Sequence, residues 1–500
     1  MSRTFAALFL LACASRAAAQ TPAHAHALPE KLGTVHFSVS CNPGVATQFN
    51  RSVALLHSFE FGEAITGFEQ VLATDSTCAM AHWGIALSRW GNPMAAGNRP
   101  TAQLSAGLQS VTAARRAAAH ATERERGYVD AVARLYEGFD RTSQGERVLA
   151  YEKAMSDLVA RQPADTEAKI FHAISLVAAA SPSDKTYSNQ KEAGRILEAL
   201  WRKDPDHPGL AHYIIHTYDY PALASQAARA ANQYATIAPA AAHAQHMPSH
   251  IFTRMGLWSE SIATNKRSME VAERAGSIAE VLHASDYAEY AYLQLGNDSA
   301  AKRIVDGLPS LAARFDVNAI TGAAPGSAGV FALAAIPARY ALERNAWSEA
   351  AALQPHPSGF PWTEAMTYFA RSLGASHVRD FVTAEGSIDS LASIRDRLSA
   401  RGESYWSDQV AIQALGARAW LAFYRGSADS AEALMRETVA REDATEKNAV
   451  TPGPLAPARE MLADMLMQRN RSREALAEYR KTLEKEPGRR RALAGLQRAR

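Results

Sequence analysis

A repeated residue spacing constrains the fold of this chain more than any other feature of its sequence. A small residue recurs twelve positions after another small residue, and a further position of the repeat follows four residues later. Near the C-terminus the spacing runs through Ala463, Ala475 and Tyr479, and Pro487 closes the unit. Four other places share it: Ser52, Ala64 and Phe68; Ser249, Ser261 and Asn265; Ala288, Ala300 and Ile304; Ala419, Ala431 and Met435. A recurring spacing of this kind indicates an array of stacked supersecondary units.

The residue types at these positions fit a pair of helices. Small residues stand where two helices approach closely, large residues fill the groove between them, and proline ends the second helix. The pattern resembles the tetratricopeptide repeat. This resemblance implies an all-α, right-handed superhelical solenoid of stacked antiparallel helix hairpins, whose first helices line a concave face. The abundance of alanine and the absence of sustained strand-like alternation agree with a helical fold.

Composition divides the chain into segments. We predict a signal peptide at 1–19, an extended N-terminal arm at 20–45, a first repeat array at 46–310, a linker at 311–330 and a second array at 331–500. The linker prediction rests on the sequence TGAAPGSAGV at 321–330, because Gly, Ala and Ser are typical of flexible connections.

The first twenty residues are typical of an export signal. Arg3 precedes the apolar run 5–14, and three alanines precede Gln20, as at a signal-peptidase site. The alternative is a lipobox at 10–13, which would make Cys13 a lipid anchor. No later stretch predicts a transmembrane helix. We therefore expect an exported protein, periplasmic or extracellular, that is either free or anchored by lipid.

Export would determine the oxidation state expected for the three cysteines. Removal of Cys13 with the signal leaves Cys41 and Cys78 in a compartment where disulfides persist, so the sequence predicts one bridge between them. The alternative is a pair of buried free thiols. Four segments also resemble a group of bacterial exported tetratricopeptide repeat proteins, a resemblance that implies no activity: Cys41, VALLHSF at 53–59, CAMAHWG at 78–84 and HMPSHIF at 246–252.

Charge and motifs narrow the classes of function. A net charge of +2 on 500 residues provides no broad basic surface, so we predict no nucleic-acid partner. The sequence contains no HExxH, GxSxG, P-loop or GxGxxG motif, and no catalytic residue is predicted. A hydrolase with an unfamiliar site remains as a third class of function.

Histidines are concentrated in one part of the chain. Seven of the sixteen lie between positions 207 and 283. Two pairs are four residues apart and one His–Asp pair is three apart, so each pair shares a face of a continuous helix. Pro248 lies inside the second pair, where it would either kink the helix or occupy its first turn. In the repeat register, the three pairs belong to the first helices of successive hairpins and would face one groove.

Two functional hypotheses follow from this face. The leading one is an exported, non-enzymatic scaffold without a cofactor, which binds a protein or peptide in the concave groove through His212, His216, His246, His250 and Tyr287. The alternative is a metal-binding or metal-dependent protein that uses a divalent transition metal, namely zinc, copper or nickel. Its predicted ligands are His212, His216, His246, His250, His283 and Asp286. Second-layer acceptors would come from Asp219, Asp286 or Glu289. Imidazoles that merely form hydrogen bonds within the helical packing would explain the pattern without any ligand.

Overall fold

The structure is a computed structural model that describes residues 31–95, 97–447 and 450–500. The predicted signal peptide, Cys13 and the first part of the predicted arm lie outside these residues. Within them the chain forms helices and no strand. The first array contains α1 Ala46–His57, α2 Phe61–Thr74, α3 Ala79–Trp90, α4 Thr101–Ala117, α5 Glu123–Ala133, α6 Gln144–Arg161, α7 Thr166–Ala178, α8 Ser188–Trp201, α9 Pro208–Tyr218, α10 Ala228–Ile237, α11 Ala242–His246, α12 Pro248–Arg254, α13 Trp258–Arg274, α14 Ile278–Gln294 and α15 Asp298–Ala312.

The second array follows after a connection that extends to Pro325. It contains α16 Gly326–Glu343, α17 Trp347–Ala352, α18 Pro361–His377, α19 Phe381–Ala400, α20 Ser404–Tyr424, α21 Ala428–Asp443, α22 Ala458–Gln468, α23 Ser472–Lys485 and α24 Arg490–Arg498. Short 3₁₀ helices occur at Pro43–Val45, Ala118–His120 and Ala224–Ala227. Consecutive helices pack against each other along most of both arrays. The predicted fold class, an all-α solenoid of stacked helix hairpins, is confirmed.

Glycine turns shape the hairpins that carry the histidine face, by which we mean the surface formed by the histidines between positions 212 and 283. Gly256, Gly276 and Gly296 have φ between +69° and +71°, a left-handed conformation that favours glycine. After each of them, the next backbone N–H bonds to a carbonyl five residues earlier, as from Ser277 to Ala272 at 2.9 Å. This is the Schellman pattern, which closes a helix and reverses the chain. The turns bring α11, α12 and α14 into contact around α13.

The predicted linker is shorter in the structure than the sequence indicates. Helix α16 begins at Gly326, so 326–330 is helical, because Ala328 packs into the core of the second array. Helix α14 also packs directly against α16, and the stacking of helices continues across the connection. At the other end, residues 31–42 are irregular, and the ring of Phe37 packs 5.6 Å from that of Phe49. Cys41 and Cys78 are joined there, with Cα atoms 5.0 Å apart.

The second array returns to the first and contacts it next to the histidines. The Trp258 indole donates to the carbonyl of Gly488 at 3.2 Å, and Lys185 donates to the carbonyl of Thr445 at 2.7 Å. The connection between α21 and α22 contributes Lys447, whose ammonium lies 3.4 Å from the Asp219 carboxylate. The histidine face is therefore enclosed. Among the described residues, no helix has the length and apolar character needed to cross a membrane.

Candidate metal centre

Four helices bring six histidines together in the enclosed region. Helix α9 carries two of them, α11 two, α12 one and α14 one. Pro248 occupies the first turn of α12, where its missing N–H costs nothing, and Met247 keeps helical dihedrals before it. His246 and His250 consequently stay on one face. All six side chains are buried, with no more than 6% of any residue exposed: His212, His216, His243, His246, His250 and His283.

The first triad consists of His212, His216 and His243. One ring nitrogen from each lies within 4.8 Å of the others. His212 donates from Nδ1 to the carbonyl of His57 at 2.6 Å, so its Nε2 carries the lone pair. That Nε2, the Nε2 of His216 and both ring nitrogens of His243 are buried and have no hydrogen-bond partner in the described part of the chain. Such orphaned polar atoms are costly in a folded interior.

The second triad consists of His246, His250 and His283, again with ring nitrogens within 4.8 Å of each other. His246 Nδ1 donates to Asn265 Oδ1 at 2.6 Å, and His250 Nδ1 donates to Asp219 Oδ2 at 2.9 Å. Both imidazoles in their neutral form therefore present a lone pair at Nε2. These two Nε2 atoms face each other at 3.0 Å. Two lone pairs at this distance need a proton or a cation between them.

A third group of ionisable side chains is held by hydrogen bonds to one carboxylate, although His207 Nδ1 is buried without a partner among the described residues. The Glu167 carboxylate accepts from His57 Nε2 at 2.9 Å and from His207 Nε2 at 3.1 Å. Tyr213 donates its hydroxyl to His57 Nδ1 at 3.1 Å. Burial would raise the pKa of Glu167, but the two histidines outweigh burial and hold it far below its ordinary value. This group fixes His57, whose carbonyl in turn orients His212.

Burial keeps the six imidazoles neutral. It lowers the pKa of His212 and of His283 to about 3. Burial also lowers the pKa of the other four members: His216, His243, His246 and His250. Neutral imidazole is the form that binds a metal ion.

Asp219 supplies the ionised carboxylate that contacts a triad. Burial opposes its ionisation, but Lys447 and Arg254 hold its pKa well below the ordinary range. Arg254 Nε donates to it at 2.9 Å. Burial also lowers the pKa of Lys447, to about 8. Asp219 therefore orients His250 from outside the triad, and its charge is already matched by two cations.

Phe59 adds a strained backbone position beside the first triad. Its φ is +59°, a left-handed conformation that costs a bulky residue about 1–2 kcal/mol. Its ring centroid lies 4.4 Å from that of His212 and 5.5 Å from that of His216. The strain places an apolar ring against the imidazoles, and such strain concentrates at functional sites.

Five of the six residues predicted as ligands lie in the two triads. Asp286 does not, and His243 is a member that was not predicted. Asp286 is instead paired with Arg339, which is also 3.5 Å from Glu289, and neither acid belongs to the two triads of converging ring nitrogens. His243 was missed, although it precedes His246 by three residues and could have been found on the same helix face. Tyr287 donates its hydroxyl to the carbonyl of Thr451 at 3.1 Å and is buried.

A pocket reaches the first triad from the surface. Its volume is about 440 Å³, and His216, Asp219 and Lys447 belong to its lining. Trp90 and Met94 contribute apolar walls. A small molecule in this pocket would contact the edge of the triad.

Comparisons with known proteins give only distant structural similarities. No protein-family model and no curated protein matches the chain. Yeast Tom70 has a TM-score of 0.40 at 12% identity, over 91% of this chain and 88% of Tom70. The Rap protein complexed with competence and sporulation factor has a TM-score of 0.40 at 10% identity, over 92% and 100% of the two chains. Human IFIT1 with m7Gppp-AAAA has a TM-score of 0.39 at 10% identity, over 84% and 89%. These similarities carry no argument about ligands.

Proposed function

We propose that this protein binds two transition-metal ions, one in each histidine triad. The observation that carries the proposal is the convergence of buried lone pairs. His246 and His250 present two lone pairs to each other at 3.0 Å. Two nitrogens bound at about 2.0–2.1 Å to one tetrahedral ion would lie roughly 3.3 Å apart, close to this separation.

Hydrogen-bonded packing explains most of the third group, in which His207 Nδ1 alone lacks a partner among the described residues, but it does not explain the triads. His57 and His207 share a carboxylate, so their Nε2 atoms are satisfied. In the first triad, by contrast, four ring nitrogens are buried without a partner among the described residues. Leaving each of them unpaired costs about 1–3 kcal/mol. A bound cation would satisfy one lone pair from each of the three rings, which packing alone does not.

Burial also favours the metal over a peptide as the ligand of this face. A peptide in the concave groove would have to contact side chains such as His212 and His246, which are 0% exposed. Lys447 and its connection lie over the same region. The helical-repeat scaffold remains, but a protein partner would need to bind another surface or displace this connection.

The ligand chemistry restricts the metal. All six ligands are imidazoles, which suit zinc, copper and nickel and do not suit magnesium or calcium. Asp219 and Asn265 accept from the remote nitrogens of the second triad, as second-layer groups do in histidine metal sites. The set of three imidazoles leaves a coordination position open at each ion.

Metal stoichiometry tests the proposal. Tag-free protein is stripped with a chelator and titrated with Zn²⁺ and copper, and bound metal is measured by mass spectrometry. We expect two ions per chain. His212→Ala and His283→Ala should each reduce the number to one, because each disrupts one triad.

His172→Gln is the matched control. This histidine lies on α7, outside both triads, and contacts Glu152 at 3.1 Å. The variant should keep two ions, and circular dichroism establishes that all variants are folded. Absence of bound zinc or copper in the wild type, or loss in His172→Gln equal to that in the triad variants, would overturn the proposal.

A further inference from the structure

The two triads adjoin each other closely enough to act as one centre. The rings of His216 and His250, which belong to different triads, have centroids 6.0 Å apart. Those of His243 and His246 are 5.9 Å apart. Spacing within the second triad covers the same range, from 4.4 Å between His246 and His283 to 6.2 Å between His250 and His283. A small ligand held by one metal ion would therefore lie beside the other.

The charge of this centre restricts the oxidation state of its metals. Six neutral imidazoles contribute no negative charge, and Asp219 is already paired with Arg254 and Lys447. Two divalent ions would place four positive charges in a buried site, which costs more solvation free energy than two monovalent ions do unless an anion binds with them. Two cuprous ions would place only two. Among the metals that imidazole suits, copper is the one with a stable monovalent state in proteins.

Resting on the proposed metal binding, we infer that the two triads hold a pair of cuprous ions that binds dioxygen between them. Each Cu(I) gives one electron and becomes Cu(II), and O₂ takes both electrons and becomes a bridging peroxide. Two Cu–O contacts form at the open positions, no proton moves and no further reductant is needed. The total charge of the centre is the same before and after, so a site built for two positive charges accommodates both states.

The structure also provides a route for the gas and an apolar surround. The pocket of about 440 Å³ includes His216 in its lining. The ring of Phe59 packs against the first triad at the cost of a left-handed backbone. An apolar wall excludes water from the peroxide and slows its loss by protonation.

Anaerobic loading followed by exposure to dioxygen tests this inference. The metal-free chain is loaded with two equivalents of Cu(I) under nitrogen and then mixed with O₂-saturated buffer. We expect uptake of one O₂ per two coppers, a new peroxide-to-copper absorption band in the near ultraviolet, and no electron paramagnetic resonance signal, because the two Cu(II) spins couple. His212→Ala and His283→Ala should each hold one copper and lose the band.

The outcomes separate this inference from the proposed function. Two bound coppers without O₂ uptake, or with the resonance signal of isolated Cu(II), would overturn the copper pair while leaving metal binding intact. No bound copper or zinc at all would overturn both. His172→Gln should match the wild type in copper content and O₂ uptake, and a loss there would also overturn the assignment to the triads.

Discussion

The tautomer of each imidazole determines which ring nitrogen has a free lone pair, and so what the histidine face can bind. Helical periodicity predicts that His212 and His216 share a face, as do His246 and His250, because residues four apart meet on a helix. It cannot predict which ring nitrogen is free. That is set by the carbonyl of His57 and by Asn265, which belong to other helices. The sequence therefore predicts the candidate ligands, and only the tertiary structure assigns their lone pairs.

Asn265 should tune the metal affinity of the second triad. Asn265→Leu removes the acceptor that fixes His246. We therefore expect the metal affinity of the second triad to fall 10–100-fold and that of the first triad to stay unchanged. Competition with a chromophoric chelator measures both affinities. Asn232→Leu is the control, because Asn232 also donates to the backbone carbonyl four residues earlier but lies on the surface. Equal affinities in wild type and Asn265→Leu would contradict the second-layer role.

Glu442 should make stability depend on pH. Burial raises its pKa from the ordinary 4.5 to about 7, and its carboxylate accepts the N–H of Ala458 at 2.9 Å. Between these values the folded chain keeps a proton that the unfolded chain releases, so stability falls as pH rises from about 4.5 to 7. The effect is at most about 3 kcal/mol.

Comparison with Glu442→Gln isolates this effect, because the amide keeps the acceptor and does not titrate. Urea unfolding of both proteins is measured at pH 5 and at pH 8. Relative to the variant, the wild type should lose stability at the higher pH. A constant difference between the two proteins at both pH values would show that Glu442 does not titrate in this range.

Among the secondary-structure elements, the helix hairpins are predicted better from the sequence than the connections between them. The recurring small residues place the helices because close packing requires them, and Ala288 and Ala300 are buried as that predicts. The linker prediction fails in part because Ala is both common in linkers and the strongest helix former. Residues 326–330 are helical because Ala328 packs into the core, a contact that composition does not reveal.

Substitution by alanine should have opposite effects on stability at two glycines, one inside α19 and one just after it. Gly402 follows the helix with φ +68°, and Gly386 lies inside it; an added Cβ would meet no atom within 4 Å at either position. Gly402→Ala should destabilise by about 1 kcal/mol through its left-handed backbone. Gly386→Ala should stabilise by roughly 0.5–1 kcal/mol through helix propensity. Thermal unfolding of both variants checks the signs, and a shared sign would refute the assigned backbone conformations.

The contacts that close the two arrays against each other cannot be predicted from any local sequence pattern. Trp258 and Gly488 are 230 residues apart in sequence, as Lys185 and Thr445 are 260 apart. Nearest-neighbour stacking predicts an open groove, because each hairpin in an array contacts only its neighbours. The contacts that close this groove join distant hairpins, and neither repeat spacing nor composition encodes them.

The Cys41–Cys78 bridge should hold the N-terminal segment onto the first hairpin. If the chain is exported, mass spectrometry without reductant should find both thiols oxidised. Cys41→Ser with Cys78→Ser should lower stability by roughly 2–4 kcal/mol, because the bridge closes a loop across 37 positions. Hydrogen exchange should rise at 31–42 more than in α18, which is remote from the bridge. Two free thiols in protein secreted by its host would contradict this prediction.

Arg489 should stabilise the end of the second array at the point where it contacts Tyr290 of the first array. It is 0% exposed and lies 2.7 Å from both Glu343 and Glu460, and it donates to the Tyr290 hydroxyl at 3.0 Å. Arg489→Met would leave the buried Glu343 without this cation and Glu460 with Arg491 alone, at a cost of about 3–5 kcal/mol. The neighbouring Arg490 forms an exposed pair with Asp298, so Arg490→Met should cost less than about 1 kcal/mol.

Local opening distinguishes loss of closure from general destabilisation. The indole of Trp258 bonds to Gly488 beside Arg489, so its fluorescence should shift to longer wavelength when the arrays separate. Hydrogen exchange should rise in α14 and in 450–456, which lie at the contact, and stay low in α7 and in α19, which lie away from it. Because 450–456 lies over the histidine face, opening should also speed release of bound metal. Uniform exchange across the chain in Arg489→Met would mean that the arrays do not separate as a unit.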